Sequence, residues 1–422
     1  MSERPEGSLQ ALLEAVLDTE LPVRVTAYDG SSVGPADAPA TVHIRTPAAI
    51  HRIVTGRGRE LAFARAYVAG DIDIEGDIYA VVSRRDDFRG VRPSLRTMRL
   101  GAAALGVHDP RSLARLRPLP PPPEEVRLHG RRHSRGRDAR AIAAHYDVSN
   151  DFYRMFLGPS LTYSCAVFET DDDSLEVAQA NKYELICRKL GLRPGMRLLD
   201  IGCGWGSMVV HAARNHGVHA VGVTISHAQA ELAHKRVVDA GLVDRIEIRL
   251  QDYRDVRDGP YDAVSSIGMY EHVGLARLDE YFRGVHALLV PGGRMLNHGI
   301  CRPAGQRERL AEDSFVNRYV FPDGELVELG KVISAMQAHG LEVRHSESLR
   351  EHYARTLRNW VANLEARWDD AVREVGVARA RIWRLYMAGS AIAFEHGQTQ
   401  IHQVLAVKPD RGASRMPMRP DW

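Results

Sequence analysis

From about Arg140 to Val407 the chain alternates short apolar runs with stretches whose apolar residues return every three or four positions. RLLDIG, HAVGVTI, RIEIRLQ, YDAVSSIG and RMLNHGI read as strands, and the intervals Leu175 to Leu190, Met208 to His216, Ala228 to Ala240 and Leu278 to Leu288 read as helices. Strands separated by helices predict right-handed crossovers and a parallel, doubly wound α/β sheet. Beyond Ile300 the pattern predicts a helix-rich insertion through FVNRYVFPDGEL, a helix from Leu326 to His339, the strand LEVRHSESL, a long helical stretch from Tyr353 to Phe394, and a last strand, HQVLAV. The first 83 residues read as a small α+β domain: a helix from Leu9 to Leu17, strands VRVTAY and TVHIRT, a helix from Ala48 to Val54, and a strand and turn in AYVAGDIDIEGD. PLPPPP, from Pro118 to Pro123, can be neither helix nor central strand and reads as an extended linker.

The expected division is therefore 1–83, a linker over 84–140, a main domain over 141–407 and a tail over 408–422. At 422 residues, 44% of them hydrophobic, the chain is long enough for two cores. Its 56 Lys and Arg balance 54 Asp and Glu, which gives no global signal for a polyanion. Locally the balance shifts, because residues 84–140 hold 15 basic and 6 acidic side chains. Cys165, Cys187, Cys203 and Cys301 show no CxxC pair and no Cys–His ligand spacing, so neither a disulfide framework nor a structural metal is expected. The polar N-terminus and the lack of any run of 18 apolar residues predict a cytoplasmic protein whose membrane contact is peripheral.

Candidate chemistry centres on LLDIGCGWGS. A strand ending at Asp200, then Gly202, Gly204 and Gly206, then a helix, lets the backbone approach a ligand closely. The third glycine comes one position too early for the dinucleotide pattern G-x-G-x-x-G, and fits better the loop that holds S-adenosylmethionine in methyltransferases. The next strand ends with Thr224 and Ser226, and Gln229 follows one turn on, where a dinucleotide enzyme presents an acid to the ribose. The third ends in QDYRD, placing Asp252 where an adenine amino group could donate to it. Polar groups on three strand ends match the crevice in which open α/β sheets bind ligands.

In chain order HYDVSNDFY, LTYSCAVFE, LLDIGCGWGS, VGVTISHAQ, QDYRD, GMYEHVG and VNRYVFPDGEL resemble the cyclopropane-fatty-acyl-phospholipid synthase family, which includes actinobacterial methyltransferases that begin tuberculostearic acid synthesis. The resemblance runs from about Ala139 to Val407; over the first 83 residues it is loose, chiefly at AYVAGDIDIEGD. It implies a class I, Rossmann-like methyltransferase sheet with a helical lipid-site insertion, and an N-terminal domain that binds lipid or dimerises. It implies methyl transfer from S-adenosylmethionine to the cis double bond of an unsaturated acyl chain in a membrane phospholipid, at the inner face of the membrane. Tyr163, Ser164, Gly202, Gly204, Thr224, Gln229, Asp252 and Tyr253 match the family's cofactor contacts, with Asp200 at the head of the loop. The carbocation so formed must lose a proton, and Cys165, Glu271, His298, Ile300 and Tyr353 match the groups that hold a bicarbonate base.

An alkene is a poor nucleophile, so aromatic walls that keep the site dry and stabilise a cation are expected from among Tyr163, Tyr270, Phe282, Tyr319, Phe321, Tyr353 and Trp360. Two departures from some relatives stand out. Ser390 occupies a position where they carry cysteine, and His402 one where they carry an aromatic residue. Two products stay open: a cyclopropane, or, after a hydride shift, an exocyclic methylene that a separate reductase would complete. Another hydrophobic acceptor and a non-catalytic lipid-binding role are the competing readings. Nucleic acid is not an expected partner, because no basic stripe with interleaved aromatics accompanies the catalytic half.

Overall fold

The computed structural model describes residues 9–16, 22–56, 58–84, 95–105, 107, 117–126, 128, 136–137, 140, 148–306 and 310–422. Most of the Arg-rich segment, and the first three residues of HYDVSNDFY, lie outside the described residues. Two compact units emerge: residues 1–127, 311–322 and 368–392 in one, and 128–310, 323–367 and 393–422 in the other. The division is not linear along the chain, since two segments beyond Ile300 group with the N-terminal residues.

The first unit holds a four-stranded sheet of order β2-β1-β3-β4, with β1 Arg24–Ala27, β2 Ser32–Val33, β3 Ala40–Ile44 and β4 Ile72–Gly76. Alternation makes β3, since Ala40, Val42 and Ile44 are buried and the residues between them are less so. AYVA is not the start of a strand but the last turn of the helix Arg59–Ala69, which Gly70 stops at φ 82°. From the helix Val377–Glu395, the buried Arg384 donates to the Tyr67 hydroxyl at 3.3 Å and to the carbonyls of Ile74 and Gly76 at 3.2 and 3.3 Å. Arg65 forks onto the buried Glu125, both bonds being 2.8 Å. These contacts bind the C-terminal segment to the small sheet.

The second unit is built on seven strands in the order β10-β11-β9-β8-β5-β6-β7: β5 Arg197–Ile201, β6 His219–Thr224, β7 Ile246–Leu250, β8 Tyr261–Ile267, β9 Leu289–Cys301, β10 Glu342–Ser348 and β11 Gln400–Val407. Strands β7, β6, β5, β8 and β9 are parallel, as the alternation predicts. The wholly parallel expectation needs correction, because β11 runs antiparallel to both β9 and β10. The reason lies in the entry point. Gln400 pairs with Cys301 at the C-terminal end of β9, so a strand starting there can only run back. Both faces of the sheet are covered, and Leu198, Leu199, Val264, Met295 and Leu296 are fully buried between the layers.

Two helical expectations also change. The stretch Tyr353 to Phe394 is three helices, Arg350–Ala366, Trp368–Val375 and Val377–Glu395, with Gly376 at φ 79° at the second break. FVNRYVFPDGEL supplies only the helix Phe315–Tyr319 before Pro322 and Asp323, the latter at φ 66°. A helix not read from the sequence, Asn150–Leu157, is capped by Ser149, whose side chain accepts from the Phe152 amide at 3.3 Å. In the tail, Met416 and Trp422 pack against the core.

Candidate active site

Asp200, next to last in β5, is buried, and its carboxylate accepts from the Ser265 hydroxyl at 2.7 Å. Burial pushes its carboxyl up to about 6, and the Ser265 bond and the nearby Lys182 charge limit that rise. The loop then turns through Gly202, Gly204 and Gly206, all at positive φ, before the helix Ser207–His216. Gly202 and Cys203 both donate to the Val223 carbonyl at 3.0 Å, which clamps the loop onto β6. Gly204 has nothing within 4 Å of where a Cβ would sit. The loop therefore offers open backbone at a helix N-terminus, the arrangement a nucleoside-bearing ligand needs.

The neighbouring strand ends are ordered by their own hydrogen bonds. Thr224 donates to Gln229 at 2.8 Å, and Ser226 caps the helix His227–Asp239 by accepting from the Gln229 amide at 3.3 Å. Asp252 does not stand open for an adenine amino group; Arg254 holds it in a fork at 2.9 and 2.6 Å. Tyr253 packs edge-on against Tyr281 at 5.2 Å, and the Tyr281 hydroxyl donates to Ser266 at 2.6 Å. Trp205 and Cys203 are both buried. The indole donates to Asn150 at 2.7 Å, and burial lifts the Cys203 thiol well above its ordinary range.

LTYSC follows the helix Asn150–Leu157 and opens with Leu161 at φ 53°, a conformation non-glycine residues seldom adopt. A polar chain holds it there, from Thr162 to the Tyr183 hydroxyl at 2.9 Å and from Ser160 to Gln179 at 2.6 Å. Ser164 accepts from the fully buried Lys182 at 3.0 Å. Cys165 directs its thiol at the Ala166 carbonyl at 3.1 Å and at that of Leu349 at 3.6 Å, and burial raises its pKa far beyond reach of the thiolate. Leu349 precedes the helix Arg350–Ala366, its carbonyl accepts from the Tyr353 amide, and its own amide donates to Ile401, opposite Ile300. Cys165, Tyr353 and Ile300 are thus tied together through one backbone junction.

The aromatic candidates separate into three groups. Tyr163 stacks on Trp360 at 5.3 Å, Trp360 meets Tyr353 at 6.0 Å, and Tyr353 meets Phe394 at 4.7 Å, which forms a continuous apolar wall. Tyr270 and Phe282 belong to the sheet core instead. Tyr319 and Phe321 lie in the other unit.

At the end of β9 the polar groups are buried without satisfaction. Neither ring nitrogen of His298, nor Glu271 Oε2, nor Asn297 Oδ1 has a hydrogen-bond partner among the described residues. Glu271 Oε1 accepts from the Ile300 amide at 2.7 Å, and the Tyr270 hydroxyl donates to the Ile300 carbonyl. The Ile300 backbone thus holds both Glu271 and Tyr270. Burial pushes the Glu271 carboxyl up to about 7 and drives His298 well below its usual range, so the imidazole is neutral. Gly299 makes the arrangement possible, since a Cβ there would lie 2.0 Å from the Tyr270 ring and 3.2 Å from Glu271 Oε1.

Two further residues escape a reading by motif. Lys182 lies on the helix Leu175–Leu190, its ammonium 3.4 Å from the Tyr183 ring centroid, and burial lowers its pKa to about 7 with Asp200 as the main opposing charge. Its only sequence signal is a lysine among apolar positions of one helix face. Ser265, which fixes Asp200, carries no signal at all.

Residues 133–404 match the family described as mycolic acid cyclopropane synthetase. The chain is 46% identical to a probable fatty acid methyltransferase of Mycobacterium tuberculosis over 98% of each protein. It is 34% identical to that organism's tuberculostearic acid methyltransferase UfaA1, over 94% of this chain and 92% of the other. The crystal structure of mycolic acid cyclopropane synthase CmaA1 complexed with SAH and CTAB aligns with a TM-score of 0.60 and 35% identity, covering 64% of this chain and 97% of that one. Sheet order, glycine loop and strand ends define a class I S-adenosylmethionine-dependent methyltransferase. Within that class the chain belongs to the mycolic acid cyclopropane synthetase family.

Proposed function

We propose that the enzyme methylates the cis double bond of an unsaturated acyl chain carried by a membrane phospholipid, with a bound bicarbonate accepting the proton that is lost. The observation that carries this reading is the buried, unpartnered set at the end of β9: both nitrogens of His298 and Glu271 Oε2. Each such group costs about 1–3 kcal/mol unless a ligand satisfies it. A small oxyanion bearing one hydroxyl suits the set, because neutral His298 donates one N–H and the Glu271 carboxylate accepts the hydroxyl proton. In this reading Cys165 is an inert thiol held on the Ala166 and Leu349 carbonyls, and Ile300 holds Glu271 in place.

S-adenosylmethionine, when bound, supplies an electrophilic methyl group. Gly202 and Gly204 offer backbone to it, Thr224 and Gln229 a polar edge, and Asp252 a carboxylate once Arg254 yields part of its fork; Asp200 and Tyr253 adjoin these groups in the chain, and Tyr163 and Ser164 come from the segment before the helix Leu175–Leu190, whose Lys182 donates to Ser164. The ladder Tyr163, Trp360, Tyr353 and Phe394 excludes water and turns π faces toward developing positive charge. Relatives aligned over nearly the whole chain carry fatty acid or tuberculostearic acid in their names, whereas cyclopropane mycolic acid synthase 1 aligns with 63% of it. That contrast supports the methylene outcome, completed by a separate reductase. No helix among the described residues is long and apolar enough to cross a membrane, and the excess of basic over acidic side chains in 84–140 suits an anionic bilayer surface at the cytoplasmic face.

The test is to incubate purified enzyme with dioleoyl phospholipid vesicles and methyl-labelled S-adenosylmethionine, with and without bicarbonate, and to read the new carbon by proton NMR. Olefinic protons are expected, with turnover falling when bicarbonate is removed. High-field ring protons would replace the methylene outcome by a cyclopropane, and unlabelled lipid would overturn the acceptor.

A further inference from the structure

Outside the active site, two adjacent helices bring together four metal-ligating side chains. Cys187 and Glu184 lie on the helix Leu175–Leu190, and His211 and His216 on the helix Ser207–His216. One ligand atom from each of Cys187, His211 and His216 lies within 4.8 Å of the others. Glu184 Oε2 lies 3.3 Å from His211 Nε2 and 3.0 Å from His216 Nε2. We infer that these residues form a structural site for a divalent transition-metal ion of borderline softness, such as zinc, with Cys187, His211 and His216 as ligands and Glu184 closing the fourth position.

Geometry and chemistry agree. Zinc bonds to sulfur, imidazole nitrogen and carboxylate oxygen imply tetrahedral edges of about 3.3–3.8 Å. The two Glu184 separations already approach such an edge, and the Cys187, His211 and His216 ligand atoms, within 4.8 Å of one another, have little more than about 1 Å to close as an ion replaces the protons these groups now share. One thiolate and one carboxylate neutralise a divalent charge. The mixed sulfur and nitrogen set disfavours calcium and magnesium, which take oxygen ligands. The sulfur is buried while the imidazoles and Glu184 are partly exposed, which leaves an entry path from solvent. Tyr183 buttresses His211, its ring centroid 5.8 Å away. Sequence spacing hides the site because His211 and His216, though at a spacing zinc ligands use, have no second cysteine or histidine pair near them; Cys187 and Glu184 stand on another helix, three residues apart. Once bound, the ion pins the helix that carries Lys182 to the helix that leaves the glycine loop.

The experiment strips the full-length protein with a chelator and titrates it with Co2+ as a spectroscopic probe, followed by Zn2+ in competition. One equivalent of Co2+ is expected to produce tetrahedral d–d bands and a thiolate-to-cobalt charge-transfer band, both erased by Zn2+, and Zn2+ alone is expected to raise the melting temperature. Cys187→Ser removes the charge-transfer band, and His216→Asn, at the helix end, weakens Zn2+ binding by at least about tenfold. Should Cys187→Ser fail to fold, His216→Asn decides alone. Absence of the bands at stoichiometric Co2+, or binding unchanged in His216→Asn, overturns the site and leaves an adventitious ion only.

Discussion

The ends of β5, β6 and β7 and the end of β9 face the same chemistry with opposite strategies. On the first three strands nearly every polar side chain is already matched: Asp200 by Ser265, Thr224 by Gln229, Asp252 by Arg254. At β9, His298 and Asn297 Oδ1, and beside them Glu271 Oε2 from the helix Tyr270–Val273, are buried and unmatched among the described residues. A large cosubstrate can be recognised by open backbone and by bonds that are exchanged one for another. A small anion has no such area to offer, and a site that binds it must keep strong, unsatisfied groups waiting.

The sharpest break of this contrast is Glu271→Ala. Methyl transfer should fall roughly 10²–10⁴-fold, in the range of a lost acid–base partner, while S-adenosylmethionine affinity measured by calorimetry stays unchanged. A parallel loss of cosubstrate binding would erase the distinction between the two regions. Next come two glycines of opposite surroundings. Gly299→Ala drives a methyl into the Tyr270 ring and should destabilise the fold by about 3 kcal/mol, read as a lower midpoint in denaturant. Gly204→Ala places its methyl in open space where the cosubstrate is expected. It should cost only about 1 kcal/mol of backbone strain and raise the S-adenosylmethionine Kd about tenfold.

A third comparison uses pH. Burial raises the Glu271 carboxyl to about 7 from an ordinary 4.5, so the native chain holds that proton more tightly than the unfolded one. The favourable contribution of this group is complete below pH 4.5 and is lost as pH rises through 7. Glu271→Gln should therefore gain stability over the wild type across that window, and melting curves that stay parallel throughout would contradict the burial argument. The smallest effect belongs to Lys182→Met. It frees Ser164 from its tether and should weaken S-adenosylmethionine binding about threefold to tenfold, the weight of one hydrogen bond, with turnover at saturation little changed.

The parallel half of the sheet was legible because its strands contain short apolar runs, and β5, β6 and β8 lead into helices. RLLDIG and the glycines after it announce both the strand and the loop. β11 was legible as a strand but not in direction, since QIHQVLAV carries no mark of which neighbour it joins or which way it runs. The three helices between Arg350 and Glu395 read as one because the apolar period continues across Arg367 and only Gly376 interrupts it. Motif resemblance pointed to Glu271, His298 and Ile300, yet the hydrogen bond by which Ile300 holds Glu271 came only from the register of β9 against the turn at Gly268 to Glu271. Lys182, Ser265 and the cluster at Cys187 are invisible for the same reason. Their partners lie 18 or more residues away in sequence, except for Glu184 beside Cys187, and meet only through packing.

The placement of β11 also bears on how the protein is made. Ile401 pairs with Ile300, so a strand inside the sheet is synthesised about a hundred residues after the neighbour it must cover. At roughly 5–20 residues per second, a ribosome leaves the apolar edge of β9 uncovered for some 5–20 s. During that interval the nascent chain shows a bare strand edge to every other chain in the crowded cell, and a holdase that shields it would set the yield of active enzyme more than the stability of the finished fold does.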